Sequence, residues 1–375
     1  MITSMKVRLE PNNKQTSQLF QCSGTARFIY NWTLARQEEN YKNGGRFISD
    51  NVLRKEITQL KKTEQYQWLN SISNNVAKQA VKDACEAYKK YFKKLADKPK
   101  FKSRRKSKPS FYNDVIKIKF SSTHVQLEKL GKVKLSEYNR IPTGVKYSNP
   151  RVSFNGVHWY ISVGIESIQE PVELTGDSIG IDLGIKDLAI CSNRKEPYKN
   201  INKTKKVKKL EKKLRRLQRK VSNKYQLNKK GGSYVKTSNI VKLENNIIKL
   251  HKSLDNIRTD YRHKITTEIV KTKPSRIVME TLNVKGMMKN KHLSKAIAKQ
   301  GFFEFKTMIQ YKAEKYGIEF VEADKWYPSS KTCSACGHVK PKLSLSEREF
   351  VCECCGSIID RDKNASFNLS RYKIA

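Results

Sequence analysis

The 34 residues from Cys333 to Ser366, CSACG…CECCGSIIDRDKNAS, hold five cysteines and two aspartates. Cys333-x2-Cys336 and Cys352-x2-Cys355 stand fifteen residues apart, the spacing of a four-cysteine zinc ribbon. Gly337 and Gly356 follow the two pairs, where a tight knuckle turn needs positive φ. Four protein ligands leave no open position for water, so one Zn²⁺ held there serves shape and not chemistry. A redox dithiol would not need two pairs. Cys354 is the spare thiol, and His338 is a weaker candidate as a substituted ligand.

The carboxylates require a different account. Asp182 falls in IGIDLGI, a run otherwise of Ile, Gly and Leu. Strand interiors seldom accept Asp, and a buried charge needs a counter-charge such as a metal ion. Glu280 repeats the anomaly at the end of Ile277-Val278-Met279. A third acidic residue follows the ribbon in IIDRDKNASFNLSRY, where a helix begins. It is Asp360 or Asp362, and Asp360 also suits an N-cap. Three carboxylates from separated segments offer oxygen ligands to a hard divalent cation, with positions left for water and phosphate.

Charge identifies what such a site would act on. The 375 residues carry 77 Lys+Arg against 35 Asp+Glu, a formal net charge of +42. That excess is spread along the chain, and a polyanion relieves its self-repulsion through counterion release, so nucleic acid is the natural partner. A membrane partner is excluded on this reading, because no apolar run approaches the roughly twenty residues of a span. MITSMKVRLEP lacks a signal-peptide core. Cys22, Cys85 and Cys191 stand alone while the other cysteines cluster, which suits a reducing cytosol with one metal site.

The elements that must position these residues follow from pattern. KVRLE (Lys6 to Glu10) alternates like a strand and stops at Pro11. Helices follow, one with Val76, Ala80, Ala84, Tyr88 and Phe92 on a single face. KPKFKSRRKSKP (Lys98 to Pro109), with Arg104, Arg105 and Lys106 at its centre, has charge without period and reads as a basic loop. From Ser110 to about Ile168 come short strands, VIKIKF, HVQLEKL, KVKL, RVSFNG and HWYISVGI, which predict a small β-barrel or sandwich that the first strand could complete. SIGIDLGIKDLAICSN predicts a β-hairpin. Val207, Leu210, Leu214, Leu217 and Val221, then Leu243, Ile247, Leu250, Leu254 and Ile257, predict the two helices of a coiled-coil hairpin. Eleven of the eighteen residues from Lys203 to Lys220 are basic. Lys208, Lys209, Lys212, Arg215, Arg216 and Arg219 therefore form a candidate polyanion-contacting stripe. RIVMETL and IEFVEAD read as further strands, with an amphipathic helix through FFEFKTMIQYKAEKYG between them.

GIDLGIKDLAI, IVMETLNVKGM and CSACG…CECCGSIIDRDKNAS resemble the three RuvC-type nuclease motifs and inserted zinc ribbon of the transposon-encoded TnpB (OrfB) family, relatives of the type V CRISPR effectors. KWYPSSKTCSACG matches the family's lead into the ribbon, and LEPNNKQ…ARFIYNW its N-terminal pattern at Pro11, Gln15, Arg27, Tyr30 and Asn31. In that family the third carboxylate is the Asp of D-x-N-A, which here is Asp362. Ser366 stands where the family often has Ala.

The resemblance implies a multidomain α+β protein with a ribonuclease H-like (RuvC) nuclease domain at 173–332 and 357–375 and a zinc ribbon at 333–356. It implies a β-barrel wedge domain at 1–10 and 110–172, carrying a helical recognition lobe at 11–109. It implies an RNA-guided DNA endonuclease in which Asp182, Glu280 and Asp362 hold two Mg²⁺ for phosphodiester hydrolysis, while Cys333, Cys336, Cys352 and Cys355 hold zinc. The implied partners are a structured guide RNA, target double-stranded DNA beside a short motif, and single-stranded DNA, with one monomer per RNA in a prokaryotic cytosol. A repressor that binds DNA without cutting predicts damage at one of the three carboxylates, and all three are present. A strand-joining transposase predicts a separate nucleophile beside a pair of histidines, and no such pair occurs. A compact type V effector is the neighbouring alternative.

Overall fold

The computed structural model describes residues 2–166, 172–344 and 346–373. The chain divides into two compact units, Met1–Ile168 and Gln169–Ala375. Among the described residues no helix is long and apolar enough to cross a membrane.

In the first unit, strand β1 (Ile2–Glu10) precedes helices α1 (Asn13–Lys42), α2 (Asp50–Leu60) and α3 (Asn74–Phe92). Six strands follow: β2 (Ser110–Tyr112), β3 (Lys119–Phe120), β4 (His124–Leu127), β5 (Gly131–Leu135), β6 (Tyr147–Phe154) and β7 (Trp159–Glu166). They form one antiparallel sheet in the order β2-β6-β7-β1-β5-β4-β3, so the N-terminal strand joins the later strands, as its sequence suggested, and lies at their centre. Val7 and Leu9 alternate inward and join Val133, Leu135, Ile161 and Val163 in the core. Among the described residues the expected barrel does not close, because edge strands β2 and β3 pair there only with β6 and β4. The sheet nonetheless curls, since Phe111 and Phe120 at opposite edges pack in the same core.

VIKIKF yields only the two-residue strand Lys119–Phe120. Asp114 Oδ1 accepts the Ile116 N–H at 2.8 Å, a local turn that takes the backbone away from the ladder. Asn12 and Gln15 form a reciprocal capping box that starts α1. The predicted apolar face of α3 is buried through Tyr88, but Phe92 is 57% exposed. Arg151 of β6 grips Asp83 of α3 with two hydrogen bonds of 2.7 and 2.8 Å, fixing helix to sheet. The expected end of the β-rich segment at residue 172 runs through 167–171, which lie outside the described residues.

The second unit opens with β8 (Thr175–Leu183), β9 (Asp187–Cys191) and β10 (Tyr198–Lys199). Helix α4 (Lys205–Leu227), a short hairpin of β11 (Lys229–Lys230) and β12 (Ser233–Tyr234), and α5 (Ser238–Lys271) come next. The chain continues through β13 (Pro274–Met279), α6 (Val284–Met287), α7 (Ser294–Gln300), α8 (Phe302–Tyr316) and β14 (Glu319–Glu322). It ends in β15 (Glu349–Val351), β16 (Ile358–Asp360) and α9 (Arg361–Ser370).

Five strands build a mixed sheet, β10-β9-β8-β13-β14, with β8, β13 and β14 parallel and β9 antiparallel to β8. One face carries Ile179, Ile181, Ile277 and Met279 against Ile265 and Ile269 of α5 and Phe305 and Ile309 of α8. The other face is covered by α9, whose Leu369 packs on Val278. Side chains alternate along a strand, so Asp182 shares the α9 face with Gly180, and Glu280 shares it with Val278.

Val207, Leu210 and Leu214 of α4 meet Ile247, Leu250, Leu254 and Ile257 of α5 in the predicted seam. Helix α5 runs well past it, and its last turns bury Ile265, Ile269 and Val270 in the sheet core. One helix therefore belongs to both the projecting hairpin and the body that supports it.

Candidate active site and metal centre

Asp182 is the penultimate residue of β8, and Glu280 follows the last residue of β13. The register pairs Ile181 with Met279, so the two acids stand side by side at the carboxyl ends of adjacent parallel strands. In open α/β sheets that edge is where ligands bind. The two side chains share a hydrogen bond, and the Leu183 N–H donates to Glu280 Oε1 at 3.2 Å. Burial, then the negative charges of Glu280 and Asp362, hold the Asp182 carboxyl well above the usual carboxylate range. Burial also raises Glu280, against the lowering effect of the Leu183 N–H and the bond to Asp182. Two buried acids in contact favour keeping one proton between them.

The third acid arrives on α9. Asp360 Oδ1 accepts the N–H groups of Asp362 at 3.1 Å and Lys363 at 2.9 Å, so Asp360 is the helix cap. Asp362 sits in the first turn, and its charge is felt by both Asp182 and Glu280. Its Oδ1 lies 3.2 Å from Arg361 Nη2 and its Oδ2 lies 3.9 Å from Arg348 Nη1. Asp182 and Glu280 are thus in contact, while Asp362 is the outlying member and is held by guanidinium groups. Among the described residues, the only group of three or more potential ligands gathered closely enough for one ion is the cysteine set. The all-carboxylate donors nevertheless suit a hard cation, whose charge would offset the burial of two adjacent acids.

Several residues seat α9, and sequence reasoning assigned them no role. Lys363 Nζ donates to the carbonyls of Cys191, Ser192 and Arg194 at 2.8, 2.9 and 2.7 Å, latching the helix start to the end of β9. Asn364 is fully buried; it donates to the Thr332 carbonyl at 2.6 Å and accepts the Ser334 N–H at 2.9 Å. Asn368, one turn on, donates to the carbonyls of Ser329 and Thr332 at 2.7 and 2.6 Å. Together they tie α9 to the lead into the first cysteine pair. The i, i+4 spacing of two asparagines was the available signal. Gly180 permits the closest approach, since a Cβ there would lie 2.0 Å from the Ser366 carbonyl oxygen.

The Sγ atoms of Cys333, Cys336, Cys352 and Cys355 all lie within 4.8 Å of one another. Cys333 to Cys355 spans 3.7 Å and Cys336 to Cys352 spans 3.6 Å. Zn–S bonds of about 2.3 Å give a tetrahedral edge of about 3.8 Å, so the four cysteines fit a structural zinc ribbon. Gly337 and Gly356 take φ of +80° and +71°, as the knuckle turns require. Backbone N–H groups of Cys355 and then Cys354 lower the Cys352 thiol to about 6, favouring a thiolate. Cys354 is exposed and outside the cluster. His338 contributes its backbone carbonyl, which accepts the Cys333 N–H at 2.8 Å. Strand β16 then leads directly into α9, joining the ribbon to Asp362.

The basic candidates are exposed. Glu211, the one acid between Lys203 and Lys220, turns toward Arg258 and Lys299 at 2.7 and 2.6 Å. The outer face of α4 is left without an acid, with Lys212, Arg215, Gln218 and Arg219 lining a groove. In the first unit Asn31 exchanges two 2.8 Å hydrogen bonds with the backbone of Lys102. The Ser103 and Ser107 side chains close a turn around Arg104, Arg105 and Lys106. That loop is held in shape.

Comparison with known proteins agrees along the whole chain. A protein of Streptomyces pristinaespiralis named "Putative RNA-guided DNA endonuclease" is 30% identical over 98% of this chain and 88% of its own. InsQ of Escherichia coli, named in the same words, is 30% identical over 98% of this chain and 91% of its own. Residues 160–291 match the OrfB family of IS605, described as "Probable transposase".

The chain belongs to the TnpB (OrfB) family.

The family's helix-turn-helix model matches residues 1–46, where this TnpB relative forms strand β1 and a single long helix. A Cas12f1-like TNB domain matches residues 302–369, the span that holds the ribbon and α9. A solved Cas12f1–sgRNA–target DNA complex has a protein chain 17% identical, with a TM-score of 0.62 over 96% of this chain and 83% of its own. The mini-RNA-guided endonuclease CRISPR-Cas_phi3 is 11% identical, with a TM-score of 0.51 over 99% of this chain and 92% of its own. At those identities the likeness is one of fold.

Proposed function

We propose that this chain is an RNA-guided DNA endonuclease that cuts in the second unit, with Asp182, Glu280 and Asp362 as the metal-holding acids. The observation that carries the reading is the Asp182–Glu280 pair at the carboxyl ends of β8 and β13, beneath the N-terminus of α9. Nothing in sheet packing rewards two acids in contact on a buried face. Two Mg²⁺ bound there would activate a water and stabilise the leaving oxygen of a phosphodiester. The acids would orient the ions, Arg361 would offset surplus negative charge beside Asp362, and the latch of Lys363 would hold α9 over the strands.

On this reading the mixed sheet with α5, α8 and α9 is the RuvC-like domain, with the helical hairpin and zinc ribbon inserted in it. The curled sheet of the first unit is the wedge, and α1 to α3 form the recognition lobe. The basic face of α4 and the turn at Arg104 to Lys106 grip phosphates of a structured guide RNA and of target DNA next to a short motif. A net charge of +42 suits a protein that holds a heteroduplex by its backbone.

The test is to sequence RNA that copurifies with the protein and to challenge the complex with matching DNA and Mg²⁺. Asp182→Ala, Glu280→Ala and Asp362→Ala should each abolish cutting, with RNA and target binding retained. Full cutting by all three variants would overturn the assignment.

A further inference from the structure

The recognition helices carry a feature that the endonuclease reading does not use. Where α1 and α3 end, Tyr41, Phe47, Tyr88, Tyr91 and Phe92 line a groove of about 840 Å³ together with Lys42, Arg46 and a Lys98–Glu38 ion pair of 3.0 Å. Four of the rings contact one another: Phe47 and Phe92 lie 5.6 Å apart edge to face, Tyr88 and Phe92 stack at 5.9 Å, and Tyr91 meets Phe92 at 5.7 Å. Tyr88 is buried, whereas Tyr41 at 80%, Phe92 at 57% and Tyr91 at 40% remain open to solvent. Contiguous exposed apolar surface of this kind marks a binding site. Among the described residues the hydroxyls of Tyr41, Tyr88 and Tyr91 make no hydrogen bond to protein, so polar capacity is also unspent.

We infer that this groove stacks unpaired bases of RNA. The rings offer π faces of the kind on which single-stranded bases stack. Lys42 and Arg46 stand beside them, and Lys89, Lys90, Lys93 and Lys94 follow at the exposed end of α3. That charge complements a phosphate backbone. It disfavours a second copy of this chain, which would oppose lysines to lysines. The free phenolic hydroxyls suit RNA over DNA, because the ribose 2′-OH can both donate to them and accept from them. A loop or single-stranded end of the RNA partner would lay its bases on Phe92 and Tyr91, with its phosphates against the basic rim. This deepens the RNA-binding reading above and rests on it.

The experiment uses the full chain and an oligouridylate substituted with 5-iodouridine, photocrosslinked and mapped by mass spectrometry. Crosslinks are expected at Tyr41, Tyr91 or Phe92. Tyr91→Leu and Phe92→Leu keep apolar bulk, and each should weaken oligouridylate binding about fivefold or more with an unchanged melting temperature. If the chain binds no RNA of any kind, the endonuclease reading itself falls. If it binds RNA but crosslinks map only elsewhere and both variants bind normally, the groove assignment alone falls. Equal competition by oligodeoxythymidylate would overturn the preference for RNA. A wild-type dimer that the variants dissociate in sedimentation would show that a second copy occupies the groove, and would overturn it too.

Discussion

Replacing Gly180 by alanine should disable the candidate active site without touching any acid in it. The new Cβ would lie 2.0 Å from the Ser366 carbonyl oxygen and 2.4 Å from the Ser370 nitrogen, where real contacts do not fall below 3.0 Å. Both obstacles are backbone atoms of α9, so no rotamer change relieves them. Strand and helix must separate by about 1 Å, the 3.0 Å limit less the 2.0 Å available. Overpacking of this kind costs about 1–3 kcal/mol, which for a unit of this size lowers the melting temperature by roughly 2–12 °C. Asp362 travels with α9, and a misplacement of about 1 Å costs on the order of 100-fold in rate. Single-turnover cleavage of a labelled guide-matched duplex reads the rate, with target binding measured in parallel. Gly176→Ala is the control, because a Cβ there meets nothing within 4 Å. Cleavage by Gly180→Ala within twofold of wild type, at an unchanged melting temperature, would show that the α9 seat does not position the chemistry.

Asp360→Ala should cost about 1 kcal/mol by uncapping α9 and slow cutting, whereas Asp362→Ala should abolish it; the reverse order in a cleavage assay would move the third acid to Asp360. Cys352→Ser should lower zinc content and reduce cleavage through β16 and α9, and Cys354→Ser should do neither; elemental analysis without zinc in the wild-type protein would refute the ribbon. Replacing Arg215, Arg216 and Arg219 by Gln should leave the seam and the melting temperature unchanged. The same variant should weaken nucleic-acid binding and flatten the dependence of log K on log salt, and titrations giving an unaltered slope would reduce that face to a solubilising surface.

The sequence by itself determined whatever depends on spacing along one segment. The four clustered cysteines and the two glycines after them were legible because a knuckle is local, as were the heptad seams of α4 and α5. Asp182 and Glu280 stood out because an acid at an apolar strand end violates a local preference. That β1 joins the later strands was legible in outline, since a lone alternating strand needs partners, but its central place was not. Tertiary structure decided how these pieces meet. It put Asp182 beside Glu280 through a parallel register between segments about a hundred residues apart, which no local period encodes. It separated Asp360 from Asp362, two residues that composition cannot distinguish, by giving the first to the helix N-terminus and leaving the second to the acids and guanidinium groups. It turned Glu211 toward Arg258 and Lys299, so the basic stripe is purer in space than in sequence. It also left Phe92 in solvent at the end of an apparently apolar face, because the core that covers Tyr88 stops one turn short. Periodicity reports which side of a helix is apolar, whereas the length of that side which is covered depends on where the neighbouring elements end.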